Sequence, residues 1–133
     1  MAAETSAASL LEARDLTIGL KRDGEFLPAV DNISFKIEAG EILGLAGESG
    51  CGKSLTALSI PGLLPPSSKV LSGEIIFKPE PDRSLSLTAL SEKELCPVRG
   101  KEISIIFQEA RQNLNPLTRV GDQITETLEL HGS

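Results

Sequence analysis

The sequence predicts an α/β chain in which an antiparallel β portion precedes a mixed α/β portion. Three observations predict it. Residues 10–20 and 26–37 are two apolar-rich stretches around Asp23-Gly24, a pair that favours a tight hairpin turn. Ile42, Leu43, Leu45 and Ala46 form a short apolar run, as expected of a strand buried on both faces. The glycine-rich residues 47–54 then lead into Ser54-Leu-Thr-Ala-Leu-Ser-Ile60, which lacks Gly and Pro and reads as a helix.

The remaining elements follow in order. Residues 1–9 are small and polar, the composition of a flexible tail. Leu10 to Leu20 alternates imperfectly and reads as a strand, and Lys21 to Gly24 as the turn. Phe26 to Ile37 is the second strand, with Val30, Ile33, Phe35 and Ile37 in partial alternation, antiparallel to the first. Glu38-Ala39-Gly40 is a turn into the strand Glu41 to Ala46. The helix from Lys53 stops near Pro61-Gly62, and residues 63–68 are a loop because consecutive prolines cannot continue a helix. Gly73 to Lys78 reads as a short strand and residues 79–84 as turns. Ser91 and Glu94 have capping-box spacing before a short helix that Pro97 and Gly100 end. Glu102 to Phe107 is a second strongly apolar strand, and residues 108–119 an Asn- and Pro-containing loop. Val120, Ile124 and Leu128 make a helical stripe over residues 120–130.

Composition narrows the class. The 133 residues suffice for one domain with its own core, and 40% hydrophobic with 24% charged residues suits a soluble globular chain. There is no apolar run of about 18 residues, and the start lacks a basic segment followed by an apolar stretch, so neither a spanning helix nor a secretory leader is expected. A net charge of −6 and a pI near 4.8 argue against sequence-independent nucleic-acid binding. Two cysteines are too few for a disulfide framework, which points to a reducing cytosol. One of them, Cys51, lies inside the glycine-rich loop. A helix amino end there favours a reactive thiolate; a thiol shielded by bound ligand and inert is the equal alternative.

That loop carries the chemistry. Gly47, Gly50, Gly52, Lys53 and Ser54 fit G-x-x-x-x-G-K-[ST] between a strand and a helix, the context in which it forms a phosphate cradle. Polyphosphates carry several charges and many acceptor oxygens, which backbone amides of Gly50, Cys51, Gly52 and Lys53 can meet in one concavity. Glycine permits the required angles and close approach, and the following helix contributes positive potential. Lys53 then serves the β- and γ-phosphates and the Ser54 hydroxyl a Mg²⁺ ion. The bland alternative is a glycine turn with Lys53 merely solvated. The predicted core is thus that of a P-loop NTPase. No Asn-Lys-x-Asp run is present to read guanine, which disfavours a GTPase, and a soluble kinase remains a minor alternative.

The stretch AVDNISFKIEAGEILGLAGESGCGKS closely resembles the start of an ABC transporter ATP-binding subunit. IIFQEARQNLNPLTRVGDQITETLELHG resembles the glutamine-loop region of the branch that imports oligopeptides, dipeptides and nickel. Phe107, Gln108, Leu114, Asn115, Pro116, Gly121, Asp122, Gln123 and Ile124 carry that likeness, which extends over roughly residues 10–132. The resemblance implies ATP and Mg²⁺ as cofactors, Lys53 and Gln108 as catalytic residues, and Ser54 and Gln108 beside the metal. Gly47, Glu48 and Ser49 would open the nucleotide contacts. Gly50, Cys51 and Gly52 would form their crest, and Lys53, Ser54, Leu55 and Thr56 the first helical turn. The implied partners are permease membrane subunits, met through residues 108–119, and a second ATP-binding subunit. The implied location is cytoplasmic, peripheral on the inner face of the plasma membrane.

Three departures from the family pattern qualify it. The position that usually carries an adenine-stacking aromatic is Leu20, and the chain has neither Tyr nor Trp; Phe26 on the neighbouring strand is a possible substitute. Pro97 shortens the helix over 91–99. No signature loop, no apolar strand ending in Asp-Glu and no later switch histidine occur, so residues 10–133 read as the N-terminal part of a truncated ABC ATPase domain. Such a part would bind nucleotide and hydrolyse it poorly, and the edges of 41–46 and 102–107 would be open. His131 reads as a surface residue at a helix end. The alternative function is a non-catalytic module whose 108–119 loop docks a membrane subunit.

Overall fold

The computed structural model describes residues 9–109 and 113–131; the expected tail lies almost entirely outside them. The chain divides into two compact units, one up to Ser91 and one from Glu92.

The first unit is built on a four-stranded antiparallel sheet of order β2-β1-β3-β4. β1 (Ser9–Arg22) and β2 (Glu25–Glu38) form the expected hairpin. Asp23 and Gly24 both adopt positive φ, 50° and 92°, as a tight two-residue hairpin turn requires. β1 is central, with β2 on one side and β3 (Ser68–Glu80) on the other. Register slips occur near Asp15 and Asn32, which take positive φ. There the Asp15 amide donates to Ser34 Oγ (2.9 Å) and the Asn32 amide to Thr17 Oγ1 (3.1 Å), so side chains replace the interrupted ladder. The inward residues of the sheet form the core: Leu16, Ile18 and Ile75 are fully buried, and Ala13, Val30 and Phe77 nearly so.

Two features of this sheet exceed the sequence reading. β3 begins five residues before Gly73, and β4 (Arg83–Ser86) pairs with it across a turn at Pro81-Asp82, inside the segment read as turns alone. A charged row crosses three strands. Glu12 is paired with Arg14 (2.8 Å) and with Lys36 on β2 (3.3 Å), and Arg14 reaches Glu74 on β3 (3.2 Å). Only about a tenth of the Glu12 side chain is exposed, and the Arg14 hydrogen bond, with Lys36, holds its carboxyl at about 2.

The expected buried strand at 41–46 is not a strand. No described residue forms a ladder with it, and Ile42 is 96% exposed. An apolar run signals a need for burial but not the neighbour that supplies it, and a strand exists only as part of a ladder. The helix after the loop is present as α1 (Lys53–Ser59).

In the second unit, α2 (Glu92–Leu95) buries Leu95, and Arg99 is ion-paired with Glu92. The expected strand Glu102 to Phe107 is reduced to one bridge between Arg99 and Ile103, with Ile106 93% exposed. Pro97 and Gly100 turn the chain tightly here. The amides of Glu102 and Ile103 both donate to the Val98 carbonyl, and residues 104–107 run on without a partner strand among the described residues. The last helix is α3 (Val120–His131), none of whose residues is buried.

Candidate nucleotide-phosphate site

The loop at 47–54 is shaped by contacts that glycine alone permits. Gly52, the residue before α1, has φ 92°. A Cβ there would lie 2.5 Å from Val30 Cγ2 and 3.1 Å from the Ala29 carbonyl oxygen, so the loop crest sits directly on β2. A Cβ on Gly47 would lie 2.5 Å from Cys51 Sγ. The Cys51 amide donates to the Glu48 carbonyl (3.3 Å), closing a turn around Ser49 and Gly50, and Gly50 has φ 82°.

Lys53 folds back over this turn. Its Nζ donates to the Gly47 carbonyl (2.7 Å) and the Glu48 carbonyl (2.6 Å) and lies 3.3 Å from Cys51 Sγ. The ammonium is thereby held at the mouth of the loop, where an anion would meet it. Ser54 is exposed, and its hydroxyl has no protein partner among the described residues. Leu55 is half-buried and Thr56 buried, with Thr56 Oγ1 donating to the Gly52 carbonyl (3.0 Å). Thr56 thus fixes the first turn, and no acidic side chain lies there to oppose an anion.

These residues suit a polyphosphate with Mg²⁺: a glycine-rich turn whose Gly47 and Gly52 leave no room for a Cβ, one ammonium folded over it, and one hydroxyl without a protein partner among the described residues. No group of three or more His, Cys, Asp or Glu among the described residues could hold a metal. Within the loop, the Ser54 hydroxyl is an oxygen of the kind that a hard cation such as Mg²⁺ accepts as a ligand.

The other expected residues fall elsewhere. Leu20 is half-buried on β1, opposite Leu27 in the hairpin. Phe26 pairs with Lys21, so it lies on the face away from Leu20, with Lys69 Nζ 4.3 Å from its ring centroid. It is no substitute stacking partner for a base on the Leu20 side. Gln108 is exposed in a turn of the second unit. Of the loop that follows, residues 110–112 lie outside the described part. Over 113–119 the loop is clamped by Gln123. The Gln123 Oε1 accepts from the Asn115 amide (3.0 Å), and Nε2 donates to the carbonyls of Asn115 (3.0 Å) and Thr118 (2.9 Å). The sequence named Asn115 and Gln123 only as matching letters; eight positions apart, they carry no periodic signal. His131 packs its ring on Gly100, where a Cβ would lie 2.6 Å from Nε2.

Comparison with known proteins identifies a family. The profile described as ABC transporter matches residues 30–131. A "probable peptide ABC transporter ATP-binding protein" of Sinorhizobium fredii is 41% identical over 99% of the chain and 38% of its own length. The oligopeptide transport ATP-binding protein AppD of Bacillus subtilis is 43% identical over 93% of the chain and 37% of its own length. The dipeptide transport ATP-binding protein DppD of the same organism is 44% identical over 92% and 35%. The chain thus spans less than two fifths of the length of these relatives.

Proposed function

Because this chain belongs to the ABC transporter family, we propose that it binds MgATP as the ATP-binding part of an importer of peptides or related small solutes. The observation that carries this is Lys53, held across the Gly47 and Glu48 carbonyls at the mouth of a glycine-lined loop. The names of the relatives support peptides as the cargo.

In this reading the loop amides receive the phosphates, Lys53 moves from its two carbonyls to the β- and γ-oxygens, and Ser54 faces Mg²⁺. Bound there, Mg²⁺ would neutralise charge that develops on the transferred phosphoryl group. Gln108 ends an extended segment with a neutral amide, able to respond to the γ-phosphate without adding charge. The Gln123 clamp keeps residues 113–119 in one shape, which suits docking to a permease subunit on the inner face of the membrane. No helix among the described residues is long and apolar enough to cross a membrane itself. A second ATP-binding chain would complete the sandwich around ATP. The runs 41–46 and 102–107 would be covered by further strands of the whole protein, a reading the greater length of the relatives supports. The 133 residues contain no adjacent Asp-Glu pair to activate water, so by themselves they bind nucleotide and turn it over slowly.

Calorimetric titration with MgATP tests this. Lys53→Ala removes a charge-assisted contact and should weaken binding by about tenfold to a hundredfold. No binding by the folded parent chain, or equal binding by the variant, overturns the proposal.

A further inference from the structure

We propose that His131 is a positioning residue for the loop at 113–119: its ring, seated on Gly100, pins the far end of α3, and α3 holds the loop through Gln123. The inference rests on the reading of that loop as the one that meets a partner, and adds what keeps it in shape.

α3 meets its own unit chiefly through two side chains. Gln123 and His131 are half-buried, and every other residue of the helix is exposed. The apolar stripe takes no part in a core: Val120, Ile124 and Leu128 are 54%, 58% and 66% exposed. Gln123 and His131 lie within about 80° of each other around the helix and about 12 Å apart along it. One side of α3 is thus fastened at two points, roughly two turns apart. Because no residue of α3 is buried, no core contact backs up these two polar attachments.

The seat of His131 is firm and suits a flat ring. Gly100 has φ 81°, and a Cβ there would lie 2.6 Å from His131 Nε2, 2.9 Å from Cδ2 and 3.2 Å from Cε1, so the imidazole rests directly on the glycine. The Gly100 amide donates to the Ile103 carbonyl (2.9 Å), and the Glu102 and Ile103 amides to the Val98 carbonyl (both 3.0 Å), which fixes the turn beneath the ring. At the other attachment, the bonds within the loop are few. The Leu117 amide donates to Asn115 Oδ1 (2.9 Å) and the Thr118 amide to the Asn115 carbonyl (3.3 Å); the Gln123 side chain supplies the rest. The loop so held displays Leu117, which is 94% exposed. A bare apolar residue on a fixed backbone can meet a partner without first being ordered, and that ordering is a cost of binding. His131 lowers this cost from a distance, by fixing the helix from which Gln123 reaches the loop.

The test is amide hydrogen exchange of the whole chain by NMR, read at Asn115, Leu117 and Thr118. His131→Ala should speed exchange at all three by about threefold to tenfold, while Glu102 and Ile103, in the turn that carries Gly100, stay within about twofold of the parent. His131→Phe restores a flat ring over Gly100 and should bring the three loop amides back to within about twofold of the parent. Leu130→Ala shortens a neighbouring side chain that is 71% exposed and should leave them unchanged. Parent rates in His131→Ala overturn the inference. So does equal loosening by Leu130→Ala, which would make the effect a general property of the helix end, and so does His131→Phe behaving as His131→Ala. Equal acceleration at Glu102 and Ile103 also overturns it, because His131 would then support the unit as a whole and not the loop. The rates are read without nucleotide or partner. A failed MgATP titration, or a loop that meets no permease, would therefore count against the proposed function and leave the pinning of α3 standing.

Discussion

Ile18 and Ile42 are the same residue in equally apolar surroundings, and their fates are opposite. Ile18 sits in β1 between β2 and β3 and is fully buried; Ile42 lies in the unpaired run 41–46 and is 96% exposed. Ile75 and Ile106 repeat the contrast, 0% against 93%. The difference is the ladder. β1 has a hydrogen-bonded neighbour on each side, so its inward side chains meet side chains of two other strands. Residues 41–46 have no strand partner among the described residues, and without one Ile42 is left almost bare while Leu43 and Leu45 are only half covered. Hydropathy thus measures how much a segment gains by burial, while pairing decides whether it is buried.

Stability measurements can break this contrast. Ile18→Ala should cost about 2–5 kcal/mol in urea denaturation, because a closely packed site loses its contacts and retains a cavity. Ile42→Ala should stay within about 0.5 kcal/mol, as for other exposed positions. Comparable costs at the two sites would show that 41–46 is packed in solution. The next largest effect lies where the unpaired segment is pinned to the sheet. Gly52→Ala places a methyl group 2.5 Å from Val30 Cγ2 at a φ of 92°. Strain and crowding together should cost roughly 2–4 kcal/mol. Because the loop crest must lift from β2, MgATP affinity should fall as well. An unchanged melting temperature would mean that the loop does not rest on the sheet.

How much of this was legible in the sequence follows the same division. The hairpin was, because Asp23-Gly24 fixes a two-residue turn and the turn fixes the register. The phosphate loop was legible because its glycines are demanded by local geometry, at Gly52 most clearly. The strands at 41–46 and 102–107 were misread because their signal is only apolarity, and pairing is not local. β4 was missed for the converse reason: Arg83-Ser-Leu-Ser86 is polar and short, and only its ladder with β3 makes it a strand. The Gln123 clamp escaped because hydrogen bonds from a helix to a loop eight residues away leave no periodicity.

The smallest effect probes the sheet from within. Glu12 is nearly buried, yet carries a charge shared with Arg14 and Lys36, and its carboxyl is lowered from the ordinary 4.5 to about 2. The hydrogen bond from Arg14 is the largest cause, burial opposes it, and Lys36 adds to it. A carboxyl with a depressed folded-state pKa binds its proton more readily in the unfolded chain. Its contribution to stability is therefore complete above about pH 4.5 and is lost as pH falls toward about 2. Glu12→Gln keeps the shape and removes that titration. The variant should be less stable than the parent at neutral pH, and the gap should narrow as the pH is lowered through this window. Urea midpoints at a series of pH values check it. A gap that stays constant with pH would mean that the ion row across β1, β2 and β3 contributes through packing and not through charge. The sheet would then owe its advantage over residues 41–46 to its ladder and core alone.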